Sequence, residues 1–441
     1  MQQLSRRNFI SAGASLAVGA ACAGTAAKKP VPQAPAQPAK TLIDSAPVLQ
    51  NAAATSIGVA FTVTGDASGW VEYATTPDLK NATRAYSGEQ GMMDISERVV
   101  KVRLTDLKPA TRYYYRIGAD RIDYKGGYAM RNLGPEVAKE IHSFTTLGSA
   151  ASGSFCVIND THERKPALKR VFTKLAELKP SVVVWNGDAS NTSETLERVL
   201  DVFVRPHPDF PAYAADTPYL FLNGNHDYRG RANRHLCDVM MGREPAERAS
   251  VFAGLPRNFV QRLGDIALIG LDTGEDKLDT NPLFAKVFRM REYRERQAKW
   301  LAAAVESEAV KTAKFKVAFC HIPLFDANPA ANPGDVAPAD KSPAYKSDFA
   351  IWQRTCAQLW SPSFERAGVQ LVITAHQHRF RYDAPTATRP WAQIVGGGCG
   401  EKLAGNDFPT VIEGKVVDGR LVVRVFDTLR GTVAKELSFH A

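Results

Sequence analysis

Apolar and polar residues alternate along this chain with two different rhythms, and the change between them falls near residue 150. Before it, Ser56-Ile-Gly-Val-Ala-Phe-Thr-Val reads as a half-buried strand, and Gly69-Trp-Val-Glu-Tyr does so again after a turn. Arg98 to Leu104, Leu107 to Ile117 and Ile141 to Thr146 continue the series, separated by Gly, Pro and Asp and showing no helical period. Short strands broken in this way predict an all-β sandwich over 45–148. The small, polar stretch from Gly148 to Gly153 marks a boundary.

After the boundary, strands alternate with helices. Phe155-Cys-Val-Ile leads to Asp160, and Pro166 to Leu178 then carries apolar residues at helical spacing. Ser181-Val-Val-Val-Trp leads to Asp188, followed by a helix around Glu194 to Val204. Pro218-Tyr-Leu-Phe-Leu leads to Gly224, and later strands end at Asp272, His321 and Thr374. Such a rhythm predicts a layered α/β fold over 153–441, with loops at the carboxyl ends of strands lining a crevice. Ile412 to Val417 and the run after Arg420 predict a closing hairpin around an Asp418-Gly419 turn.

Five polar clusters sit where those strands end. They read Asp160-Thr-His162, Gly187-Asp188, Gly224-Asn225-His226-Asp227, Cys320-His321 and His376-Gln-His378. Taken singly they have ordinary readings: Gly, Asn and Asp favour turns, and Asp160 and Asp188 could cap helices. Taken together they supply two carboxylates, an amide and several imidazoles, which turns and caps do not require. Hard oxygen and borderline nitrogen donors suit a pair of divalent ions, with one carboxylate bridging them. Two such ions can activate water near neutral pH and clamp a phosphoryl group. Cys156 and Cys320 lie inside apolar runs and read as buried core residues, so a thiolate site is not expected.

The order and spacing of these clusters resemble the calcineurin-like metallophosphoesterase family over roughly residues 153 to 400. The resemblance implies two sheets between helices, a metal-dependent phosphoric ester hydrolase, and two divalent or mixed-valence ions of iron, manganese or zinc. It places Asp160, His162, Asp188 and His378 on the first ion, with Asp188 bridging to a second held by Asn225, His321 and His376. It makes His226 the residue that protonates the leaving oxygen, and Asp227 the group that orients its imidazole. Leu107 to Tyr115 looks like part of a fibronectin type III domain, and more specifically like the N-terminal domain of purple acid phosphatases. Two departures follow: purple acid phosphatases lack a histidine at the position of His162, and they carry a metal-bound tyrosine where this chain has Asn191. Ala375 also stands where the wider family usually has glycine.

Residues 1–29 change the picture of where the protein works. Ser5-Arg6-Arg7-Asn8-Phe9-Ile10 resembles a twin-arginine signal, and Ile10 to Ala23 is too short and too weakly apolar to span a membrane. Periplasmic or secreted localisation through the twin-arginine machinery is the expectation, with a lipoprotein tethered at Cys22 as the alternative. Residues 30–44 begin with PVPQAPAQPA and read as a Pro/Ala-rich linker. The formal charge of +9 includes Arg6, Arg7, Lys28, Lys29 and Lys40 with no acid beside them, so the remainder is +4. No basic run in that remainder suggests a nucleic-acid groove. One disulfide among Cys237, Cys356 and Cys399 stays open in an oxidising compartment.

Substrate is less legible. Arg205 to Thr217 and Phe325 to Asp348 lack periodic pattern and read as lids or surface insertions. Arg164 and Arg229 follow the first and third clusters and are candidates to bind phosphate oxygens. Phosphomonoesters are favoured, with small diesters or cyclic nucleotides as the alternative. A different class, a surface- or carbohydrate-binding protein with a vestigial metal domain, requires decay of a donor set that is intact.

Overall fold

The computed structural model describes residues 41–441 apart from 206–209, 211–212, 242–254, 286, 327–347 and 401–407. The expected leader, most of the expected linker, nearly all of the expected lid Phe325 to Asp348 and part of the one from Arg205 to Thr217 therefore lie outside the described residues. Four layers build the larger part of the described chain. A nine-stranded sheet runs in the order Thr432–Phe439, Arg420–Asp427, Thr410–Val417, Ser154–Ile158, Val182–Asn186, Tyr219–Leu222, Val48–Gln50, Ile57–Thr62 and Val99–Leu104. A six-stranded sheet faces it, ordered Phe259–Leu263, Ile266–Leu271, Phe315–Cys320, Leu371–Thr374, Ala392–Val395 and Arg381–Asp383.

Strand alternation decides what each sheet face meets. Inward residues such as Phe155, Val157, Val184, Leu220, Val317, Phe319 and Ile373 form one core between the sheets. Phe155 and Phe319 meet there edge to face, with ring centroids 5.6 Å apart. Outward residues Cys156, Ile158, Val183 and Trp185 pack instead against helices Lys165–Leu178 and Leu196–Phe203. On the far side Ala267, Ile269, Ala318 and Val372 pack against helices Met290–Ala304 and Asp348–Ala367 through Trp300, Trp352 and Trp360. Both strand faces are buried, which is why these segments read as continuous apolar runs. Cys156 and Cys320 are fully buried as expected, and none of the five described cysteines is bridged.

Among the described residues before 150, all regular structure is β. Strands Arg112–Tyr124, Ala67–Ala74, Thr83–Tyr86, His142–Thr145 and Met130–Val137 make a five-stranded sheet. Its companions Val48–Gln50, Ile57–Thr62 and Val99–Leu104 belong to the nine-stranded sheet, because Gln50 pairs in parallel with Tyr219. The boundary at 148–153 thus separates two kinds of sequence without separating two sheets, and residues 41–441 form one compact unit. The Asp418-Gly419 hairpin turn is present, both residues having positive φ (48° and 73°).

Candidate metal centre

Every cluster lands on the loop after a parallel strand, at one end of both sheets. Asp160 follows Ser154–Ile158, Asp188 follows Val182–Asn186, and Asn225 and His226 follow Tyr219–Leu222. His321 follows Phe315–Cys320 of the facing sheet, and His376 and His378 follow Leu371–Thr374. The strands point the loops at one another, so residues up to 218 positions apart meet.

Two donor groups result. Ligand atoms of Asp160, His162, Asp188 and His378 lie within 4.8 Å of one another, as do those of Asp188, His321 and His376, so Asp188 is common to both. The imidazole Nε2 atoms of His162 and His378 are 3.0 Å apart, and His378 Nε2 is 3.4 Å from Asp160 Oδ1. His321 Nε2 lies 3.2 Å from Asp188 Oδ2 and 3.7 Å from Asp160 Oδ1. Asn225 Oδ1 is 2.9 Å from His376 Nδ1 at the edge of the second group.

A test of fit comes from buried atoms whose polar neighbours are close but not aligned for a hydrogen bond. Asp160 Oδ1 and His321 Nε2 are buried without a hydrogen-bond partner, although buried polar atoms are nearly always paired. The other ring nitrogen of His321, Nδ1, faces the Asn186 carbonyl at 2.8 Å, which turns Nε2 inward. Burial opposes a charge on His321, yet the carboxylates of Asp188 and Asp160 outweigh it and lift its pKa to about 10. Burial pushes His376 down to about 4, with His321 adding to the effect. Two buried carboxylates thus need a cation between them, and the oxygen and nitrogen donors fit metal ions.

The backbone pays a conformational cost here. Asp160, His162, Asp188, His376 and His378 all have φ between 46° and 69°, a region that non-glycine residues rarely occupy. Close approach explains the glycines: a Cβ on Gly224 would meet Asp188 Oδ1 at 2.2 Å, and one on Gly187 would meet His321 Nδ1 at 2.5 Å. Ala375, fully buried, donates its N–H to the His321 carbonyl at 2.7 Å and so fits where the resemblance led us to expect glycine.

The remaining expected residues divide. His226 reaches the centre: its N–H donates to Asp188 Oδ1 at 2.8 Å, and its ring meets that of His162 edge to face at 4.7 Å. Asp227 does not orient that ring. The short 3₁₀ turn His226–Tyr228 aims its carboxylate the other way, where it accepts from Ser190 N–H (2.9 Å) and Gly224 N–H (2.8 Å), while His226 Nδ1 has no partner. Arg229 is no free phosphate hand either. Its guanidinium donates to both oxygens of Glu275 and to Asp276, and Nη1 lies 3.4 Å from His226 Nε2. Arg164 is exposed at the start of helix Lys165–Leu178. Asn191 is exposed and donates its N–H to Glu163, away from the donor groups.

Several contributing residues were not singled out by sequence. Asn186 Nδ2 donates to the Cys320 and Ile373 carbonyls at 3.1 Å each, stitching the two sheets beneath the site. Asn159 donates to Asp160 Oδ2 and to the Gly397 carbonyl. Glu275 and Asp276 follow the strand end at Asp272, the one signal that pointed their way.

Comparison with known proteins follows the same outline. The sequence profile described as calcineurin-like phosphoesterase matches residues 153–380, and that of the purple acid phosphatase N-terminal domain matches 46–146. Among solved structures, purple acid phosphatase PPD1 from yellow lupin (Lupinus luteus) seeds is similar at 14% identity, with a TM-score of 0.59, over 89% of this chain and 74% of that one. GAP50, the anchor in the inner membrane complex of Plasmodium, is similar at 14% identity and a TM-score of 0.42, over 65% of this chain and 88% of that one. No curated protein matches the chain.

Proposed function

We propose, from the premise that this chain belongs to the calcineurin-like phosphoesterase family, that it hydrolyses phosphate monoesters outside the cytoplasm with a pair of metal ions. That it is a metal-dependent phosphoester hydrolase follows from the family and the fold. The observation that carries the two-metal reading is the sharing of Asp188 by two donor groups. Asp160, His162, Asp188 and His378 would hold one ion, and Asp188, Asn225, His321 and His376 the other. Bound there, such ions supply charge stabilisation of the phosphoryl oxygens and a water-derived nucleophile near neutral pH.

The chain's own groups then divide the remaining work. His226, anchored through its backbone on Asp188, would serve the leaving oxygen as general acid. Arg229, locked by Glu275 and Asp276 with Nη1 3.4 Å from His226 Nε2, would position that imidazole rather than grip phosphate. Arg164 is left as the arginine free to meet substrate. A diesterase is the second reading, favoured by His162 lying within the first donor group, where purple acid phosphatases have no histidine.

Rates on nitrophenyl phosphate and bis-nitrophenyl phosphate, after reconstitution with manganese, iron or zinc, test the choice. The monoester should be the faster substrate with the best metal; a faster diester would replace the monoesterase reading. His226→Ala should keep both metals and lose about 10²–10⁴-fold in turnover, most on esters with poor leaving groups. Equal losses on nitrophenyl and alkyl esters would leave His226 a stabiliser of charge instead of an acid. For export, Arg6→Lys with Arg7→Lys keeps the charge but removes the guanidinium groups that a twin-arginine receptor reads. Undiminished export of that pair, followed by cell fractionation, would point to a general secretory signal.

A further inference from the structure

A cavity of about 570 Å³ lies beside the metal centre, and none of the seven candidate ligands lines it. The segment from Asn223 to Tyr228 separates the two: Asn225 and His226 face the metal donors, whereas Asn223, Asp227 and Tyr228 belong to the cavity wall. Its volume falls in the range of small-molecule sites. Tyr228, Phe288 and Tyr293 supply aromatic surface, with Leu236, Pro256 and Met290 adding apolar walls.

Three of its lining residues carry buried polar atoms with no partner. They are Arg257 Nη1, Asn223 Oδ1 and Asn233 Oδ1, on residues only 5–7% exposed. Arg257 takes part in no ion pair or hydrogen bond among the described residues; its guanidinium lies 5.6 Å from the Phe221 ring centroid and within electrostatic reach of Asp272. A guanidinium presents five N–H donors and holds its charge at any physiological pH, so burial without an acceptor is costly. The orphaned Asn233 oxygen is firmly assigned, since its amide nitrogen already donates to Ser190 Oγ, the His226 carbonyl and the Arg229 carbonyl.

We propose that this cavity binds a small aromatic carboxylic acid that carries a hydroxyl or N–H donor of its own. The carboxylate meets Arg257, the donor meets the asparagine oxygens, and the ring lies among the aromatic side chains. A single negative charge suits the site better than a phosphate dianion, because the wall sets three arginines, Arg234, Arg257 and Arg289, against two aspartates, Asp227 and Asp272, a formal excess of one positive charge. Asp272 attracts the Arg257 charge, but its oxygens accept from the Tyr228 and Tyr293 hydroxyls and the Gly274 N–H, and it makes no hydrogen bond to the guanidinium. The inference does not depend on which phosphate ester the metal centre hydrolyses.

Calorimetric titration of hydroxynaphthoate into the metal-loaded protein, with saturating orthophosphate at the metal centre, tests it. Saturable binding in the millimolar range or tighter is expected, and the matching neutral alcohol should bind at least about tenfold more weakly. Arg257→Met should weaken binding by roughly 10- to 100-fold, as loss of a charge-assisted hydrogen bond implies. Val287→Trp, at an exposed position on the cavity rim, should weaken it comparably by filling the mouth, and it serves if Arg257→Met does not fold. No saturable binding, unchanged affinity in either folded variant, equal binding of the alcohol, or loss of binding on adding orthophosphate would each overturn the proposal.

Discussion

Asp160, His162, Asp188, His376 and His378 hold left-handed backbone that costs on the order of 1–3 kcal/mol at each non-glycine residue. Such strain persists only where neighbouring contacts over-determine it, and here bound metal would add to those contacts. Chelation should therefore lower the melting temperature and metal return should restore it, by the usual linkage of ligand to the folded state. An unchanged melting curve in chelator would mean that the loops hold themselves. Gly224→Ala offers a sharper test, since its Cβ would meet both the carboxylate and the backbone nitrogen of Asp188 within 2.4 Å. We expect a folded protein with less than half the bound metal per chain, measured by elemental analysis. That these candidate donors would meet was readable from the sequence, because each cluster ended an apolar run. The direction of Asp227 was not, because a single 3₁₀ turn decides whether it faces His226 or the Ser190 and Gly224 N–H groups. Likewise Arg229 looked free until the Glu275-Asp276 loop, almost fifty residues away, was placed against it.

At the scale of elements, apolar runs buried on both faces announced themselves, whereas edge strands did not. Met130–Val137 and Thr432–Phe439 are exposed along most of their length, so no alternation marks them. The clamp made by Asn186 was also silent, since an asparagine ending a strand is ordinary until two carbonyls of the facing sheet come within reach. One strand makes a pH-dependent contribution. Glu72 on Ala67–Ala74 accepts from Arg84 and Arg116. Burial alone would raise its pKa, but those two arginines outweigh it and hold the carboxyl below its ordinary 4.5. A depressed folded-state pKa gives stability that is present above the unfolded value and lost as pH falls through the folded one. The gap in urea midpoint between wild type and Glu72→Gln should accordingly be widest at neutral pH, narrow as pH falls below 4.5, and vanish only below the depressed folded-state value. A gap that held constant into acid would assign the contact to packing.

For the whole molecule, the sequence change near residue 150 was legible, and the continuity of the large sheet across it was not. That continuity rests on one short parallel pairing, Gln50 with Tyr219, together with the Asn51 N–H bond to the Tyr219 carbonyl. Nothing in the pattern of a three-residue strand says which distant strand it will join. Side chains reinforce the join: the Tyr115 hydroxyl donates to the Ala215 carbonyl at 2.6 Å, and Arg98 pairs with Glu197 at 2.9 Å. Val48–Gln50 therefore acts as a seal. Without it, Tyr219–Leu222 would present a row of unpaired N–H and C=O groups flanked by four buried apolar side chains, a template on which other chains add. A fragment starting at residue 153 should sediment as aggregate, while one starting at 41 stays in the supernatant. If the shorter fragment remained monodisperse, the seal would be dispensable. If it aggregates, the β-rich half is a built-in guard against self-association, and selection could not discard it even where it never touches a substrate.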